Sequence, residues 1–192
     1  MTARPNLAFR VSRKGTTLGE HHVAFTRTDG TLTAETSLDL TVKLAFITIY
    51  RLTLRARETW SDGALIAARV DSTANGRTSF VAAERTGDTL TVQGTGAPRY
   101  TAPPGAVIAS HWNRAQLGVP LINPQTGALL DIAVTPRGPA RLKDAAGAAR
   151  DAERFALTGA YTIDLWYATD GTWMALQAAV PDGSSVIYSP IA

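Results

Sequence analysis

The stretch FITIYRLTLRARETW, residues 46–60, places Phe46, Tyr50, Leu52, Leu54, Ala56, Glu58 and Trp60 on one parity and Arg51, Arg55 and Arg57 on the other. A period of two is the signature of a β-strand with one dry and one wet face. One residue breaks the pattern. Glu58 carries a carboxyl group onto the dry side, between Ala56 and Trp60.

The same alternation extends in both directions. In TLTAETSLDLTVK, residues 31–43, Leu32, Ala34, Leu38, Leu40 and Val42 oppose Thr33, Glu35, Ser37, Asp39 and Lys43. Near the start Leu7, Phe9 and Val11 alternate with Arg10 and Ser12, and the parity of Val23 and Phe25 takes His21 inward and leaves His22 outside. Downstream, ALLDIAVTP directs Leu130, Ile132 and Val134 inward, and YTIDLWYAT sets Tyr161, Ile163, Leu165 and Tyr167 against Thr162, Asp164 and Trp166. TWMALQAAV and SSVIYSPI supply two closing strands. Asp29-Gly30, Asp62-Gly63, Asn75-Gly76, Gly87-Asp88, Arg137-Gly138, Asp170-Gly171 and Asp182-Gly183 mark the turns between them, because Asp-Gly and Asn-Gly tolerate the positive φ angles of tight hairpins. KDAAGAARDAERFAL is rich in alanine, but Gly147 interrupts it and it reads as a hairpin; NRAQLG reads as a short helix.

These segments predict an all-β chain: a single antiparallel meander of about 11 or 12 strands curled into an open or half barrel. Residues 94–127 lack the pattern, and a connection longer than about 12 residues in a compact domain is commonly functional. Tyr100, Ile108, Trp112 and Leu117 make this one apolar enough to serve as a lid over the trough. One domain is expected over residues 7–192, with residues 1–6 a remnant or disordered.

Composition narrows the function classes. With 19 basic and 16 acidic residues the net charge is +3, and the arginines are scattered singly, which argues against nucleic acid as a partner. There is no cysteine, so no disulfide, thiolate metal site or cysteine nucleophile is possible. No apolar run is long enough for a spanning helix, and MTARPN lacks the core of a signal peptide. Phosphate-loop, zinc-helix, nucleophile-elbow and dinucleotide motifs are missing, and three histidines make a metal site a poor expectation, so no cofactor or metal is expected.

What remains are polar groups turned inward: His21, Glu58 and, through the lid, His111 and Asn113. A carboxyl group held against Trp60 and Tyr50 is disfavoured in its ionised form, and a neighbouring imidazole restores it, as in acid–base sites. Alternatively Glu58 and His21 satisfy each other or the backbone, while Asn113 caps the short helix and Trp112 plugs the core. Tyr50, Trp60, Trp112, Tyr161, Tyr167, Trp166 and Trp173 could line a ligand trough or simply fill the interior.

Gly19-x-His21, Glu58-x-Trp60-x-x-Gly63, Ser110-x-Trp112-Asn113, Leu165-Trp166-Tyr167 and Asp182-Gly183-Ser184 together resemble a family of exported proteobacterial proteins defined only as a domain of unknown function, from about Leu7 to Tyr188. Where this chain has His111, that family more often has an aromatic. The resemblance implies a periplasmic or exported location, a cytoplasmic one being the alternative, and a fold similar to the curved sheets of periplasmic lipoprotein carriers. Three functions follow. The first is a periplasmic protein binding an apolar or amphipathic, lipid-like small molecule in the concave face, contacted by Tyr50, Trp60, Trp112, Asn113, Tyr161 and Trp166. The second is a cofactor-independent isomerase, cyclase or hydrolase using Glu58 with His21 or His111. The third is a structural or interaction module with a filled core. Oligomeric state is left open.

Overall fold

The computed structural model describes residues 5–44 and 47–192. Phe46, from the stretch that decides the fold, and Met1–Arg4, from the expected remnant, lie outside the described residues. Asn6 is already engaged, its Oδ1 accepting a hydrogen bond from the Phe25 amide at 2.9 Å.

The strands are β1 (Leu7–Arg13), β2 (Thr16–Thr28), β3 (Thr31–Leu44), β4 (Ile47–Ser61), β5 (Ala64–Ala74), β6 (Arg77–Thr86), β7 (Thr89–Gly94), β8 (Ala97–Thr101), β9 (Val107–Ile108), β10 (Leu121–Ile122), β11 (Leu129–Leu130), β12 (Ile132–Lys143), β13 (Ala149–Gly159), β14 (Ile163–Ala168), β15 (Trp173–Ala179) and β16 (Ser185–Pro190). Thirteen of them form one sheet in the order β12-β13-β14-β15-β16-β1-β2-β3-β4-β5-β6-β7-β8. Every neighbouring pair in it is antiparallel. This is the expected curled meander with one strand more than the sequence count, cut in the middle of the chain and joined through its ends, since β1 pairs with β16 from Phe9↔Pro190 to Arg13↔Val186. The sheet stays open, with β8 and β12 as its edges.

The stretch that opened the sequence reading behaves as its parity dictates. Leu52, Leu54, Ala56, Glu58 and Trp60 are buried, while Arg51, Arg55 and Arg57 are exposed. Arg55 reaches Asp39 at 2.9 Å and Arg57 reaches Glu35 at 3.1 Å across the outer face. At the turns, Asp29, Asp62 and Asn75 each sit at φ 49° before a glycine, the paired positive angles of a type I′ hairpin. Gly19 serves a different need: a Cβ there would lie 1.8 Å from the Asp39 carbonyl oxygen, so β2 and β3 can approach only without one.

Two details depart from expectation. Arg137-Gly138 is not a turn but a bulge inside β12, where the register against β13 shifts between Pro136 and Gly138; a glycine with positive φ suits either use. The 94–127 segment is also less irregular than its sequence suggests. Its first part, β8, completes the main sheet, and the rest carries a 3-10 turn at Arg114–Gly118 and the strands β9 and β10, which with β11 just beyond the segment form the three-stranded sheet β11-β10-β9. KDAAGAARDAERFAL is the expected hairpin, its turn held by Asp144 Oδ1, which accepts from the amides of Ala146 and Ala148.

Because consecutive strands alternate in direction, the turns fall at two ends. Asp29-Gly30, Asp62-Gly63, Gly87-Asp88 and Asp170-Gly171 lie at one, here the distal end. Lys14-Gly15, the β3–β4 tip, Asn75-Gly76 and the Val180–Ser184 turn lie at the other, the proximal end. Residues 102–131 connect the two edges of the sheet and lie over its concave side.

Candidate functional site

Toward the distal end the concave side is plugged. Trp112, 1 % exposed, stands edge-on to Phe25 and Trp60 at ring separations of 5.2 and 5.5 Å. Its Nε1 donates to Glu58 Oε1 at 3.0 Å, and Glu58 is fully buried. Burial pushes the Glu58 carboxyl up to about 7, against the pull of Trp112 and, beyond it, of the Ser110 and Trp60 side chains. Glu58 Oε2 and Trp60 Nε1 nonetheless have no partner at hydrogen-bonding geometry among the described residues.

The lid above is tied down from both sides. Tyr167 donates to the His111 carbonyl at 2.7 Å and accepts from Gln116 Nε2 at 2.7 Å, while Gln116 Oε1 accepts from the His111 amide. Asn113 caps the 3-10 turn, its Oδ1 accepting from the Ala115 amide at 3.1 Å. Arg114 pairs with Glu153. Clamped this way, His111 adopts φ 66°, a left-handed conformation uncommon outside glycine, which histidine adopts more readily than most residues.

On the proximal side of this plug lies a cavity of about 290 Å³, walled by β2–β4 on one side, β14–β16 on the other and the lid above. Its walls are mainly apolar, with Leu38, Leu54, Ile108, Ile163 and Leu176 among them. Six polar side chains also line it: His21, Thr36, Ser110, His111, Tyr161 and Tyr188. Four of them carry buried atoms without a hydrogen-bond partner among the described residues: both ring nitrogens of His21, Thr36 Oγ1, His111 Nδ1 and Tyr161 Oη. Trp173 connects the imidazoles, its ring 5.2 Å from His21 and 6.1 Å from His111.

The electrostatics of the cavity favour neutrality throughout. Burial holds His21 down to about 3, helped by repulsion from His111 and His22, and holds His111 down to about 4 against the pull of Gln116. Burial pushes Tyr161 and Tyr188 up to about 12, the latter with a contribution from Tyr50. Among the described residues no lysine, arginine, aspartate or glutamate lines the cavity. At neutral pH the site therefore offers donors and acceptors but no counter-ion.

The predicted residues separate into groups. His21, His111 and Tyr161 meet in the cavity, whereas Glu58, Trp60 and Trp112 form the plug beside it and Glu58 lines none of the cavity wall. Asn113 is spent as a cap. Tyr50 is half-buried one step beyond the wall, facing Val42 across the β3–β4 pair. Trp166 lies on the outer face with the Arg154 guanidinium 5.3 Å above its ring. Thr36, Ser110 and Tyr188 escaped the sequence reading although they line the cavity. The signal for Thr36 was present, since a threonine occupies the dry parity between Ala34 and Leu38. Ser110 and Tyr188 sit where no parity had been assigned. Among the described residues no group of three or more His, Cys, Asp or Glu gathers as a metal site, and no helix is long and apolar enough to cross a membrane.

Residues 9–191 match the model of a family described as "Domain of unknown function (DUF6134)". The chain is also similar to a solved structure, the beta-barrel-like protein of domain of unknown function DUF1849 from Brucella abortus, at a TM-score of 0.67 and 9 % identity, over 97 % of this chain and 94 % of that one. At that identity the likeness concerns the fold alone. No curated protein matches the chain.

Proposed function

The chain belongs to the domain-of-unknown-function family DUF6134, and from its cavity we propose that it binds an uncharged, compact amphipathic molecule between the sheet and the lid. One observation carries this reading: four side chains with unpartnered buried polar atoms converge on a single apolar cavity. Buried polar groups are nearly always hydrogen-bonded, and a site built of apolar walls with a few convergent polar groups is the usual form of a small-molecule pocket. The cavity holds roughly ten waters' worth of liquid volume, which suits a short-chain or single-ring lipid-like molecule. A hydroxyl or carbonyl head would engage His21, Thr36, His111 and Tyr161, with the hydrocarbon against Leu38, Leu54 and Ile163. In keeping with the exported family it resembles, we place this binding in the periplasm.

Selectivity follows from the missing counter-ion. A carboxylate entering this cavity would give up its hydration without an opposing charge, a cost that neutral hydrogen bonds do not offset. Trp173 lies against both imidazoles and reports occupancy by its fluorescence. Titration with 1-decanol is expected to saturate, and decanoate at pH 8 to bind at least about tenfold more weakly. Tyr161→Phe and His21→Leu should each weaken decanol binding about five- to tenfold. Equal affinity for decanol and decanoate, or affinity untouched by both substitutions, would refute the reading. An acid–base role for Glu58 gains no comparable support, because its carboxyl group is bound to Trp112 and lies off the cavity wall.

A further inference from the structure

We propose that the overhanging end of the β3–β4 ladder, at Ile47 and Ile49, docks on an anionic lipid bilayer. The hairpin outreaches its neighbours. β2 pairs with β3 only as far as Gly19↔Leu40, and β5 pairs with β4 only as far as Leu52↔Ala74, yet the β3–β4 ladder continues through Thr41↔Arg51 and Val42↔Tyr50 to Leu44↔Ile47. Beyond the capping hydrogen bonds between Arg51 and Asn75 the two strands pair with no third strand among the described residues. On this overhang Ile47 is 70 % exposed and Ile49 53 % exposed, the two most exposed large hydrophobics of the described residues. Two isoleucines held in water at the end of a projecting ribbon mark an interaction surface.

Charge selects the partner. Lys43 and Arg51 flank the isoleucines, and neither takes part in an ion pair among the described residues. The β5–β6 turn beside them adds exposed Arg77, and the β1–β2 turn adds Lys14. The acids in the turns and connections at this end are Asp131 and Asp182, and Asp182 is already bridged to Arg13 at 2.7 Å and Lys14 at 2.9 Å, while Glu20, Asp39 and Asp164 on the strands nearby are held by His22, Arg55 and Arg154. At the distal end, by contrast, Asp29, Asp62, Asp88, Asp144 and Asp170 all sit in turns. Apolar side chains ringed by cations fit an anionic bilayer, which accepts the isoleucines below its headgroups and the cations among them.

The tip also connects to the cavity. Inward positions along β3 and β4 run from Leu38 and Leu54 in the cavity wall, through Leu40 and Leu52, to Val42 and Tyr50, and the bulge between Val42 and Lys43 keeps Ile47 in register with the same row. Ala178 and Val186, also cavity residues, pair close to the proximal Val180–Ser184 turn. A docked tip therefore holds the cavity end of the molecule toward the bilayer. Exchange of a ligand between the two rests on the function proposed above; docking does not.

The test is co-sedimentation of the full chain with vesicles of phosphatidylglycerol and phosphatidylcholine at low ionic strength, which reads the protein and not its ligand. The wild type is expected to bind, and less so as salt is raised. Ile47→Ser with Ile49→Ser should reduce binding at least about tenfold, and Lys43→Gln with Arg51→Gln about fivefold per cation, with melting temperatures little changed because all four side chains are exposed. No wild-type binding, or binding unaffected by the isoleucine substitutions, would overturn docking. So would a wild-type dimer in sedimentation velocity that the isoleucine substitutions render monomeric, since the tip would then meet a second copy of this chain. None of these outcomes bears on decanol binding.

Discussion

His21 and Glu58 are both buried, yet their proton linkages have opposite signs. Folded His21 titrates near 3 and His111 near 4, against 6.5 in an unfolded chain. Between pH 6.5 and about 4 the unfolded chain therefore holds two protons that the native chain refuses, and stability falls as acid is added. Folded Glu58 titrates near 7 against 4.5 unfolded, so between these values the native chain holds the extra proton and stability falls as pH rises. Two groups oppose one. Urea denaturation should show stability increasing from pH 4.5 to 6.5 by about 1.4 kcal/mol per pH unit from these three groups, the equivalent of one net proton. Glu58→Gln should steepen that slope to about two protons, and His21→Leu should flatten it. Parity made the inward placement of both residues legible. It could not show that Trp112, distant in sequence, would claim the carboxyl group and leave the imidazoles unmatched.

Strand alternation and Asp-Gly or Asn-Gly turns are local properties, and that is why β1 to β7 and β13 to β16 could be read from the chain, whereas a glycine at a bulge reads as a turn and divides β12 at Arg137-Gly138. The lid was recognisable only as an exception, because what organises it is remote: Tyr167 fastens His111 and Gln116 across more than fifty residues. Tyr167→Phe should cost about 1–3 kcal/mol through the partners it strands. Amide exchange between Ser110 and Gly118 should quicken correspondingly, while β3 and β4 stay protected. At Gly19 a methyl group meets a backbone carbonyl and not a movable side chain. Gly19→Ala should therefore part β2 from β3 around Asp39, with a loss of melting temperature well beyond the few degrees of an ordinary surface substitution.

At the scale of the molecule, a sequence pattern distinguishes inside from outside but does not say whether the inside is full. The cavity exists because Ala56, Ala109 and Ala178 occupy its walls where the distal plug has Trp60 and Trp112. Small and large inward residues obey the same alternation. Ala178→Leu should fill part of this space, abolish decanol binding and leave the unfolding free energy within about 1 kcal/mol of wild type. If the cavity were an incidental packing fault, the same substitution would only stabilise the fold.

The pairing of β1 with β16 bears on how the molecule is born. Eleven of the twelve neighbouring pairs in the sheet join strands that are consecutive in the sheet's part of the chain, and each hairpin can zip as it leaves the ribosome. The last partner of the first strand emerges only after every other strand of the sheet. Until then Phe9 and Val11 have one flank uncovered, and a nascent chain halted before Ser185 exposes a sticky seam to any passing β-edge.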